Sequence, residues 1–175
     1  MSALPPTRPS LASTISTNYA FPLATHLDRA GVVFASVWAT KAHTARLLVR
    51  ADTATPAQPA VTGAVRTSAS ASTTAYKQQI HDQTRGLDEL VDGPVTLQLA
   101  FAVGARRNWI NLWKPTIDAL DALLGRTRPD RDWHPRDGRI TELGLDRTLD
   151  RSLGNDVVIA VAAAPEPSSS PPAAH

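Results

Sequence analysis

An α+β domain is the fold class this sequence predicts: a small mixed β-sheet packed with two main helices, between disordered N- and C-terminal tails. Three observations carry that expectation. Val95, Leu97, Leu99, Phe101 and Val103 alternate with Thr96, Gln98, Ala100 and Ala102, the period of a strand with one face toward a core. Two segments carry apolar residues at helical spacing, Tyr76, Ile80, Leu87 and Leu90 in one and Trp113, Ile117, Leu120 and Leu124 in the other. The elements follow one another as strands, helix, strand, helix, strand, strand, which suits a mixed sheet with helices packed on it.

In chain order, residues 1–20 are rich in Ser, Thr, Pro and Ala without an apolar period and are expected to be a disordered tail. The domain is expected to span 21–164. Val32, Phe34, Val37 and Trp38 lie in an apolar run that suits a buried strand, and Ala45 to Arg50 supply its partner. Residues 52–72, with Pro56, Pro59 and many small polar residues, are expected to form a flexible loop. A helix is expected from Thr73 to Leu90, stopped at Gly93-Pro94, with Gly86 weakening its last turn. The second helix starts near Trp113, holds Pro115 in its first turn and ends at Gly125. A charged loop from Arg126 to Asp137 contains Trp133 and His134. Two last strands, Ile140 to Leu149 and Asp156 to Ala163, meet at a turn around Gly154-Asn155. Residues 165–175, PEPSSSPPAAH, read as a second disordered tail.

Composition excludes several classes. The longest apolar stretches are about nine residues against the roughly 20 that a spanning helix needs, and no secretory leader is expected at the N-terminus. With no cysteine, disulfides, thiolate catalysis and Cys-based zinc sites are excluded, and a reducing cytoplasm is the expected compartment. Net charge is only +2. Three basic residues are lysine (Lys41, Lys77, Lys114) and the rest arginine, whose fork suits phosphate oxygens, although a GC-rich coding sequence gives the same bias. There is no Gly-rich phosphate loop, no nucleophile elbow and no His pair at metal spacing.

One segment has a specific pattern. Asn108-Trp109-Ile110-Asn111-Leu112-Trp113-Lys114 continues into Asp118-Ala119-Leu120, and this run resembles the signature of the RusA-type Holliday-junction resolvases. In that family two acidic residues flank one position, Asn-Leu follows, a lysine stands two further on, and Asp-Ala-Leu comes next. A later acidic pair opens a strand, and here Arg136-Asp137-Gly138-Arg139-Ile140 fills that place. Asn111, Leu112, Lys114, Asp118, Ala119, Leu120 and Asp137 match in register. The resemblance covers about half of the chain and implies a homodimeric, Mg²⁺-dependent endonuclease acting on four-way DNA junctions. In such a site carboxylates hold the metal, the metal activates water and polarises the phosphate, and a lysine stabilises developing charge.

The sequence departs from the family where the chemistry needs charge. The two signature acids are Asn108 and Ile110, and the first acid of the later pair is Arg136. Asn108, Asp118 and Asp137 are therefore the candidate metal ligands, with Mg²⁺ binding weak or lost, and Lys114 and Asp137 the candidate catalytic pair. Three functions compete. The first is a DNA-binding homodimer (branched or duplex DNA) with weak or lost nuclease activity, in which Arg106, Arg107, Lys114, Arg136 and Arg139 contact phosphates and Trp109 or Trp113 approaches the DNA. Those arginines are about as well explained by a solvated face, Trp113 is better explained by core packing, and Trp109 also suits a dimer interface. The second is an active junction endonuclease with a rebuilt metal cluster of Asp118, Asp121 and Asp137, with or without Asn108. Lys114, Asp118 and Asp121 share a helical face, although that spacing more often gives a surface ion pair. His134 is a candidate base, although a lone loop histidine is usually just exposed. The third is a non-catalytic protein-interaction module. None involves a membrane.

Overall fold

The computed structural model describes residues 36–41, 47–52 and 63–166, with the side chains described from 63 onward. The expected tail at 1–20, the residues Val32 and Phe34, and most of the C-terminal tail lie outside the described residues. Six strands form one sheet: β1 (Ser36–Lys41), β2 (Leu47–Asp52), β3 (Gly63–Thr67), β4 (Val95–Val103), β5 (Ile140–Leu149) and β6 (Val157–Pro165). Their order is β2-β1-β5-β4-β6-β3. Only β4 and β5 run parallel among these pairs, so the sheet is mixed and the fold is α+β. A parallel pair needs a crossover, and the helical segments between β4 and β5 provide it. Among the described residues no helix is long and apolar enough to cross a membrane.

Strand β4 is the centre of the core. Val95, Leu97, Leu99, Phe101 and Val103 are all buried and meet Ile159 and Val161 of β6, Leu143 and Leu145 of β5, and the apolar faces of the helices. Helix α1 (Thr74–Thr84) contributes Tyr76 and Ile80. Helices α2 (Trp113–Ala119) and α3 (Asp121–Leu124) contribute Trp113, Ile117, Leu123 and Leu124, with Leu120 buried at their junction. Tyr76 ties α1 to α2 through a hydrogen bond of 2.9 Å between its hydroxyl and that of Thr116.

Several boundaries depart from expectation. Part of the segment expected as a loop, 52–72, is strand: β2 reaches Asp52, and Gly63–Thr67 pairs antiparallel with β6 at the sheet edge. Val65 and Thr67 are the residues of β3 that it buries, so its apolar signal is too thin to read as a period of two. Pro165 and Glu166, expected to open the C-terminal tail, belong with the sheet: β6 includes Pro165, and the Glu166 amide donates to the Pro94 carbonyl. The first helix stops at Thr84 and does not continue to Leu90. Thr84 turns its hydroxyl back onto the Ile80 and His81 carbonyls, Gly86 follows, and Asp88 and Glu89 would place negative charge at the negative end of the helix. Leu87 and Leu90 still pack against the core, from irregular chain. The second helix is interrupted at Leu120, whose ψ of 26° departs from the helical value. Trp109, open between interface and DNA contact on sequence, is buried and lies 6.4 Å from the Phe101 ring.

Two outcomes test this packing. Gly104 lies against the backbone of Gly154, and a Cβ there would overlap the Gly154 carbonyl. Gly104→Ala is expected to lower unfolding free energy by about 1–3 kcal/mol in a urea titration. Burial pushes the Tyr76 phenol up to about 12, against the Thr116 hydrogen bond and the Arg107 charge, which pull it down. A folded value above the ordinary 10 means that the stability tied to the neutral phenol is complete below pH 10 and is lost as pH rises through 12. Chemical denaturation at pH 9 and near pH 12 is expected to show Tyr76→Phe losing roughly 2 kcal/mol less over that interval than the parent.

Candidate nucleic-acid interface

The site is a cleft of about 760 Å³ where three segments meet: the start of α1 with the turn before it, the stretch from Arg107 through α2, and the loop carrying Trp133. Its walls include Ser70, Ser72, Thr73 and Thr74 on one side, Asn108, Asn111, Lys114 and Asp118 on another, with Lys77, Arg107 and Trp133 between them. Three cations thus face a single lining carboxylate, and most of the remaining polar groups can donate hydrogen bonds.

Local folding explains each position. Asn108 caps a short 3₁₀ turn, Trp109–Asn111, by accepting the Ile110 amide through Oδ1 at 3.2 Å. That turn sinks Trp109 and Leu112 into the core and leaves Asn111 exposed on the cleft side. One helical turn on, Lys114 bonds Asp118, and Lys77 reaches the other Asp118 oxygen at 3.4 Å. Asp137, in a 3₁₀ turn before β5, brings Oδ2 to 3.9 Å from the Lys114 ammonium. Lys114, Asp118 and Asp137, separated by up to 23 positions in sequence, therefore form one charged group. Arg107 donates to the Ala69 carbonyl, which fixes its guanidinium at the cleft wall.

Other expected site residues lie elsewhere. Arg106 is exposed outside the cleft lining. Arg136 pairs with Asp92 and with Glu89 at 3.7 Å, and the Arg136 guanidinium holds the Asp92 carboxyl below its ordinary range. Arg139 donates to the Gly93 carbonyl at 2.9 Å, to Leu90 and Leu124 at 3.3 Å, and to Val91. Both arginines thus hold the irregular 86–94 segment in place, away from the cleft lining. Gly125 fits the same corner because its φ of 76° favours glycine and a Cβ would strike Arg136 and Glu89. Neither Trp109 nor Trp113 reaches the cleft; both are buried. His134 is exposed and lies outside the lining.

Asp121 is the largest correction. The break at Leu120 takes it off the Lys114–Asp118 face, and its carboxylate is fully buried. It accepts from His81 Nδ1 at 2.9 Å and from the Trp133 amide at 3.0 Å, and forms an ion pair with Arg126 Nε at 2.9 Å. Arg126 also reaches Asp132 at 2.9 Å, and the loop is closed by Thr127 donating to the carbonyls of His134 and Pro135. Within it Trp133 has a φ of +62°, a conformation bulky residues rarely adopt.

The residues do not fit the magnesium site that the sequence suggested. Asn108 spends its oxygen on the Ile110 amide, and the Lys114 ammonium already bonds Asp118 and stands close to Asp137. Among the described residues no three His, Asp or Glu side chains converge as a metal site. Magnesium requires several oxygen ligands in octahedral array, and an ammonium between two carboxylates occupies the place of the cation. No family model, no curated protein and no solved structure matches the chain.

Sequence reasoning passed over Lys77 and Trp133 as site residues. Lys77 had one signal, its rarity as one of three lysines, and Trp133 had its place in a charged loop. Because His81, Arg126 and the Trp133 amide meet on buried Asp121, Asp121→Ala is expected to cost about 3 kcal/mol by thermal or urea unfolding, whereas the exposed Asp130→Ala changes stability by less than about 0.5 kcal/mol.

Proposed function

We propose that this protein binds the phosphate backbone of DNA in the cleft between Lys77, Arg107 and Lys114, as a divergent relative of the RusA-type resolvases. The supporting observation is that those three cations share the lining of one cleft with the Asp118 carboxylate. Asp118 offsets part of this charge and holds the two lysine side chains at fixed positions. Hydroxyls at Ser70, Ser72 and Thr74 and the amides of Asn108 and Asn111 line the same walls, groups that commonly contact phosphate and sugar.

In this reading the lysine that would serve catalysis in an active resolvase has become a phosphate contact, and Asp118 and Asp137 serve to orient it. Magnesium-dependent cleavage is weak or lost, for want of a carboxylate set that could hold the metal without first displacing Lys114. The protein works in the cytoplasm as a homodimer, as the resemblance implies, with two clefts engaging a branched or duplex substrate.

Binding is expected to weaken steeply with salt, since each neutralised phosphate releases a counterion and adds about 0.7–0.9 to the slope of log K against log salt. Fluorescence anisotropy with labelled single-stranded, duplex and four-way-junction DNA between 50 and 200 mM salt tests this. Replacing Lys77 and Arg107 together by alanine is expected to lower the slope by about 1.5 and the affinity at least tenfold. Binding with unchanged slope in that variant, or none by the parent at low salt, would overturn the reading.

A further inference from the structure

Trp133 is strained, anchored and adjacent to charge, a combination that the packing of the core does not require. Its φ of +62° costs a non-glycine residue on the order of 1 kcal/mol or more, so the surrounding structure must impose it. The constraint is visible: the Trp133 amide donates to the buried Asp121 carboxylate at 3.0 Å, and Asp121 is itself held by His81 and Arg126. The indole is left half-buried on the cleft wall, with the Lys77 ammonium 5.7 Å from its ring centre. Trp109 and Trp113 are buried in the core, which leaves Trp133 as the aromatic ring among the cleft's lining residues.

A π-face beside a phosphate-binding cation matches the two parts of a nucleotide. Bases stack on aromatic side chains regardless of sequence, provided they are not already stacked in a duplex. Resting on the cleft reading above, we propose that Trp133 is a stacking platform for an unpaired nucleobase whose neighbouring phosphates lie on Lys77, Arg107 and Lys114. The favoured ligand is then a strand with exposed bases, single-stranded or at the opening of a branch, over intact duplex. Lys77 links the two halves, contacting Trp133 through its ring and Asp118 through its charge.

The test compares a 20-nucleotide dT strand with an abasic strand of the same length and backbone charge, in equilibrium titrations of the full chain at one salt concentration. The parent is expected to bind dT about tenfold or more tightly than the abasic strand. Trp133→Leu is expected to bind both strands with the affinity the parent shows for the abasic one, and Trp133→Phe to recover most of the difference. Thermal unfolding of each variant establishes that it folds. Equal binding of both strands by the parent would overturn the stacking role and leave the cleft as a phosphate site. Discrimination that persists in folded Trp133→Leu would overturn the assignment to Trp133. Binding of neither strand would overturn the cleft reading as well.

Discussion

The Asp121 carboxylate has no access to solvent, so its charge must be met inside the protein. Three groups meet it: His81 from α1, the Arg126 guanidinium at the start of the following loop, and the Trp133 amide near that loop's end. Together they fix how α1, α3 and the 126–135 loop sit against one another. The cleft lies between two of those pieces and α2, so its shape follows from this contact. Removing either side would strand a buried charge or leave its donors unmet, which costs far more than a surface ion pair contributes.

From that anchor the site assembles with little further instruction. Tyr76 joins α1 to α2 through Thr116, which sets Lys77 opposite Lys114 across Asp118. The cap at Asn108 turns the chain so that Trp109 enters the core while Asn111 stays at the cleft. Arg139 donates to four backbone carbonyls, those of Leu90, Val91, Gly93 and Leu124. Arginine is suited to this because its planar fork can serve several acceptors at once. The same residue type thus does two unrelated jobs in this molecule: Arg139 staples backbone, and Arg107 lines the cleft.

Much of the fold was legible because its strongest elements are periodic. Strand β4 and strand β5 have the bounds expected of them, and in β4 alternation over nine residues leaves no other register. Strand β3 was not legible, because an edge strand paired on one side needs few apolar residues and offers a correspondingly thin signal. Leu87 and Leu90 continued a helical spacing without being helical, since irregular chain can also bury leucine. Of the residues singled out on sequence, Lys114, Asp118, Asn108 and Arg107 line the cleft, whereas Asp121 is buried and Arg136 and Arg139 contact the 86–94 segment. The i, i+7 spacing of Lys114 and Asp121 assumed a continuous helix, and the break at Leu120 rotates the second residue inward. Pairings such as Arg136 with Asp92 or Asp121 with His81 join residues some 40 positions apart and leave no local trace.

The proposed seat of a nucleic-acid strand is the cleft that Asp121 helps to shape. Backbone amide chemical-shift mapping of the full chain against a short single-stranded DNA tests it most directly. The account predicts that the largest perturbations fall on 70–77, 107–118 and 133, with 90–94 and 136–139 little changed. Perturbations centred on the Arg136–Arg139 corner, or none at saturating DNA, would contradict it.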